Sequence, residues 1–194
     1  MRRPAPKYAR RLAACGLALV SATVALAQDQ VTLADLEGMA IEIKVVRQQV
    51  LRARGKTYPN RFHIDLRVAT GPGADLLTKI DTVSHTPAGA FRAKPQTIAT
   101  KIEKPGDLPS YGPGNSIWIF QDGKLVNLRT FRNGAYRRDI QFTRSAVGLT
   151  CEVTEGFVRE EGKPNITWNA PYDNSLVTLI SDKLVTATCR IKKP

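Results

Sequence analysis

Histidine is nearly missing from this chain. His63 and His85 are the only two in 194 residues, and cysteine comes to three. No C-x-x-C, H-E-x-x-H, nucleophile-elbow or phosphate-loop spacing occurs. The sequence therefore carries no local signature of a metal centre, and an enzyme is the weakest of the functional readings, since only groups gathered from distant segments would supply one. No cofactor is implied. Long apolar runs are also scarce: after the first 26 residues nothing approaches the roughly 20 apolar residues that a helix needs to cross a bilayer. Helical periodicity is thin, and no internal repeat or low-complexity tract appears.

What is present begins with the N-terminus. Met1 to Arg11 carries five positive charges and no acid, Leu12 to Leu26 is apolar or small, and Ala25-Leu26-Ala27 has the small-x-small form of a signal-peptidase site. This reads as a secretory signal over residues 1–27, with the protein periplasmic or secreted. Leu12-Ala13-Ala14-Cys15 spells a lipoprotein box, but it stands at the start of the apolar run instead of closing it, and Arg10-Arg11 serves as n-region charge. General export is the expectation. Removal of residues 1–27 takes five of the 29 basic residues and none of the 17 acidic ones, leaving 24 against 17. That excess permits weak attraction to phosphates or acidic glycans and is also an ordinary solubility device, so it specifies no nucleic acid.

Residues 28–194 suit one domain. Cys151 and Cys189 are the two cysteines left after cleavage, and in an oxidising compartment an even count reads as a disulfide. A metal at these cysteines would need further ligands, and both histidines lie far from them in sequence.

Strand patterning dominates the remainder. Phe62, Ile64, Leu66 and Val68 alternate with Arg61, His63, Asp65 and Arg67, which places His63 on a wet face. Met39, Ile41, Ile43 and Val45 repeat the pattern, and Val83, Ile98, Ile102, Val153, Val177, Leu179 and Val185 belong to weaker versions. One helical turn is expected at Thr32 to Leu36, with Thr32 as N-cap and Gly38 ending it. Asp122-Gly123 and Asn133-Gly134 read as two-residue hairpin turns. Gly71-Pro72-Gly73, Lys104 to Asn115 and Gly162 to Asn174 read as loops. The expected fold is all-β: a single antiparallel barrel or strongly curved sheet of about eight to ten strands. Leu36-Glu37-Gly38-Met39-Ala40, a short turn entering a long first strand, resembles the opening of lipocalins, which carry Gly-x-Trp there. The layout is also similar to small exported bacterial proteins with a Leu-x-Gly start and two late cysteines. The resemblance implies a lipocalin-like β-barrel and brings no activity.

The stretch from Asn127 to Phe142 holds four arginines in ten positions. Pairing outward from Asn133-Gly134 sets Phe131 opposite Tyr136 and Arg129 opposite Arg138. Pairing from Asp122-Gly123 brings Trp118 and Phe120 to the same face, which also holds Phe142, while Arg132 and Arg137 point the other way. Directly opposed like charges are destabilising unless an acid, water or an anionic ligand relieves them. Trp118, Arg129, Phe131, Tyr136 and Arg138 are thus the candidate ligand-binding residues, beside the plainer reading of an aromatic core with arginines reaching solvent. Tyr111, Trp168 and Tyr172 read as loop anchors or lid residues. Asn165-Ile166-Thr167 is a formal sequon in a bacterial-looking protein, and Glu160-Glu161 a solvated turn. Two functions compete: a binding protein for an apolar or amphipathic anion, and an envelope interaction protein whose basic exterior meets lipopolysaccharide or acidic glycan without a pocket.

Overall fold

The computed structural model describes residues 30–104, 116–170 and 174–193. The proposed signal, the centre of the Lys104 to Asn115 loop with Tyr111, and Tyr172 lie outside these residues.

The described chain opens on a single 3-10 turn, Ala34–Leu36. Its N-cap is Leu33, with no side-chain cap, where Thr32 was expected. The turn is too short to need one. Instead the Asp35 carboxylate reaches back three residues to accept the Thr32 N–H and hydroxyl, both at 2.8 Å. Gly38, at φ +74°, then reverses the chain. Leu36 is completely buried, and its carbonyl accepts the Thr70 hydroxyl.

Eleven strands follow: β1 (Ala40–Ala53), β2 (Lys56–Thr70), β3 (Asp75–Thr86), β4 (Gly89–Arg92), β5 (Gln96–Glu103), β6 (Ser116–Gln121), β7 (Lys124–Phe131), β8 (Gly134–Ser145), β9 (Gly148–Arg159), β10 (Thr167–Asn169) and β11 (Leu176–Lys192). Ten of them form one continuous path, β10-β11-β1-β2-β3-β5-β6-β7-β8-β9, and β4 adds only to β3. The count thus reaches the top of the expected range, with β4 as an extra flap. A short strand, β10, also interrupts the stretch expected as a late loop, and a 3-10 turn, Pro72–Ala74, occupies the expected Gly71-Pro72-Gly73 loop. Every pairing is antiparallel except β5 with β6, which share a two-residue parallel ladder at Ile102↔Trp118 and Glu103↔Ile119. The sheet curls into an open half-barrel.

The period-two reading of β1 and β2 holds along their length. Ile41, Ile43 and Val45 pair with Val68, Leu66 and Ile64, and all six are buried. These residues, with Trp118, Leu125, Ile140 and Phe142 from β6 to β8, make the main apolar cluster. A second cluster, around Leu51, Ile166, Val177 and Leu179, fills the other end, with Phe131, Phe157 and Trp168 packed on it.

Curling brings β9 and β11, the two flanks of the sheet, against each other. Cys151 of β9 and Cys189 of β11 are bonded there, with Cα atoms 5.6 Å apart. Both cysteines pack on the main cluster, so the bond closes the seam from inside.

Candidate functional site: the arginine-rich hairpin and a basic groove

The first hairpin forms as expected. Asp122 and Gly123 both adopt positive φ (52° and 71°), and Phe120 faces Leu125 while Trp118 faces Asn127. The second does not. The turn residues are Arg132 and Asn133, with Phe131 opposite Gly134, so the pairing is displaced by two residues from the expected register. Asn133 carries the left-handed conformation at φ 67°. Gly134 is there for another reason. A Cβ on it would lie 2.4 Å from the Val158 carbonyl oxygen and 2.7 Å from Ile166 Cδ1, so glycine permits β9 and the late loop to approach β8.

A displacement of two leaves every side chain on its face but changes its partner. Arg129 now faces Tyr136, and Arg138 faces Asn127, so the expected opposition of Arg129 and Arg138 does not exist. Arg138 is instead buried, donating to Glu155 at 2.7 Å and to the Tyr136 hydroxyl at 2.8 Å. Glu155 also accepts from Arg47 at 2.8 Å, and Arg47 makes a two-point contact with Asp182. Gln49 donates to Asp182 at 3.1 Å, and Asn60 donates to Gln49 at 3.2 Å. Two guanidiniums and two carboxylates thus neutralise one another between the apolar clusters. Burial disfavours the charged form of Arg47, yet Asp182 and then Glu155 outweigh it and hold its pKa above the ordinary value. Burial pushes the Tyr136 hydroxyl well up, which keeps it a neutral partner.

Sequence reasoning missed Arg47, Glu155 and Asp182. The signal was available for two of them: Arg47 continues the buried phase of Ile41, Ile43 and Val45, and Glu155 lies in phase between Val153 and Phe157. A charge in a buried phase asks for a partner.

Of the five expected ligand residues, Trp118, Tyr136 and Arg138 are interior. Phe131 packs on Phe157 and Trp168, with ring centres 5.8 and 5.7 Å away, which makes Trp168 an anchor. Arg129 stands apart. Its guanidinium lies 5.4 Å from the centre of the Phe131 ring. The residue is exposed overall, but its guanidinium is shielded enough that desolvation lowers its pKa, and no carboxylate among the described residues pairs with it.

Unpaired positive charge gathers elsewhere. Lys183 of β11, Gln48 of β1, Arg61 of β2 and His85 of β3 stand side by side across four strands through the registers Gln48↔Lys183, Gln48↔Arg61 and Arg61↔His85. They line a groove of about 660 Å³ that also takes in Val50, Pro59 and Pro87. No carboxylate lines it, and neither Arg61 nor Lys183 has a salt bridge among the described residues. Beside the groove, His63 meets His85 with ring centres 5.0 Å apart. Burial first, then His85 and Arg61, lower the His63 pKa, with Asp65 opposing.

No family model, curated protein or solved structure matches the chain.

Proposed function

We propose that the protein is an exported binding module for an amphipathic anion, seated in the groove between Lys183, Arg61 and His85. One observation carries this reading: two permanent cations without acidic partners among the described residues border a concavity whose other surfaces include Val50, Pro59 and Pro87. A guanidinium and an ammonium suit a carboxylate, sulfate or phosphate, and the apolar residues suit the adjoining hydrocarbon. Export is supported by the N-terminal pattern of Met1 to Ala27 and by the Cys151–Cys189 bond, which belongs to an oxidising compartment.

Isothermal titration with dodecanoate, dodecanol and a long acidic glycan tests the reading. The expectation is that dodecanoate binds, that dodecanol binds far more weakly, and that Arg61→Gln and Lys183→Gln each weaken dodecanoate by about tenfold or more, as removal of a hydrogen bond to a charged group does. Equal affinity of both variants and wild type for dodecanoate overturns the groove. Binding of the glycan alone would instead favour an envelope interaction protein using the same basic row.

A further inference from the structure

We propose that His63 and His85 form a surface site for one divalent first-row transition ion, Zn²⁺ or Cu²⁺, held by two imidazole nitrogens with water completing the shell. The two residues are remote in sequence, and the fold brings them together. His63 pairs with Val83 and His85 with Arg61, so the histidines sit diagonally on neighbouring strands, β2 and β3, whose ladder holds their backbones in place.

The separation fits a shared ion. With the ion about 2.0–2.1 Å from each nitrogen, each ring centre lies about 3.2 Å from it, so a tetrahedral angle separates the centres by about 5.2 Å and a right angle by about 4.5 Å. The rings stand 5.0 Å apart, between these values. Ring rotation on an accessible sheet face is then enough to aim both nitrogens at one point. Neither imidazole has a hydrogen-bond partner among the described residues, so no existing bond is lost when the ion binds. Imidazole is a preferred ligand for zinc and copper over magnesium or calcium.

The charges around the pair bear on affinity. Arg61 opposes a cation, and Asp65, two residues from His63, favours it. Asp81 faces Asp65 on β3 but is engaged by Arg92. No group of three or more histidine, cysteine or acidic side chains gathers to hold a metal among the described residues, so the site is an open, exchangeable one and not a closed cage. His85 lines the groove and His63 does not, so a change at His63 alone tests metal binding apart from anion binding.

Titration of the purified protein with Cu²⁺, followed by electron paramagnetic resonance, is the test, with Zn²⁺ as competitor. One equivalent should bind with superhyperfine coupling to two imidazole nitrogens, and Zn²⁺ should displace it. His63→Ala and His85→Ala should each weaken binding more than tenfold while leaving the circular dichroism spectrum unchanged, and His63→Ala should leave dodecanoate binding intact. Absence of binding, absence of two-nitrogen coupling, or an effect of one histidine without the other would each overturn the chelate.

Discussion

Arg47 and Arg138 inside the curled sheet and Arg61 and Lys183 on its groove carry the same charge to opposite ends. The interior pair shares Glu155, and Asp182 takes the remaining face of Arg47. Every cation there is answered by a carboxylate. The groove cations have no answering acid among the described residues, and because they are solvated that absence costs little. Local abundance of arginine therefore says less about binding than the placement of carboxylates does. Three of the four arginines between Arg129 and Arg138 divide on this principle: Arg137 pairs with Asp139 at 2.6 Å and Arg138 with Glu155, whereas Arg129 lies over Phe131 without an acid among the described residues.

The sharpest way to break the contrast is Glu155→Gln. It leaves two buried guanidiniums with one carboxylate between them and should cost about 3–5 kcal/mol, the range for breaking a buried ion pair. Arg61→Gln should stay within about 0.5 kcal/mol, as exposed substitutions do. Urea denaturation of the two variants makes the comparison, and equal midpoints would place the interior charges outside the stability of the fold.

A middle-sized effect is expected at Gly134. Alanine there must push back the Val158 carbonyl and the Ile166 side chain, an overpacking cost of about 1–3 kcal/mol, visible as a lowered thermal midpoint. If Gly134 served only as a turn residue, alanine would be nearly harmless at its ordinary φ.

The smallest effect concerns Asp35, a half-buried acid with fixed partners. The Thr32 N–H, then Arg144 and the Thr32 hydroxyl, bring its carboxyl down to about 2. A depressed carboxyl contributes stability that is present above its unfolded value of 3.8 and lost as pH falls through about 2. Carboxyl-detected NMR should show that low inflection, and Arg144→Gln should move it upward. An inflection at the ordinary value in the wild-type protein would show that the contacts of Asp35 with Thr32 and Arg144 do not hold in solution.

Much of the architecture was legible because alternation is a local property. Phe62 to Val68 and Ile41 to Val45 declared their buried phase, Asp122-Gly123 declared its turn, and the two late cysteines declared each other. The second turn was misread because glycine has two uses: after an asparagine it imitates a hairpin signal, while Gly134 actually admits a neighbouring strand. The charge clasp was hidden for a different reason. Arg47, Arg138, Glu155 and Asp182 come from β1, β8, β9 and β11, and no spacing in a sequence encodes a meeting of four strands. His63 and His85 met by the same route, through a β2–β3 register that alternation alone leaves open.

The first long strand and the last are neighbours. β1 pairs along its whole length with β11, from Ala40↔Lys192 to Ala53↔Val177. A chain that emerges N-terminus first must hold its opening hairpin, with an apolar face and one bare edge, until β11 arrives. The closing step is therefore a search over nearly the full length of the domain, the kind of non-local pairing that slows folding. During that wait the β1 edge is the place where a chaperone would protect the nascent protein, and where a truncated copy lacking β11 would be most open to strand exchange and aggregation.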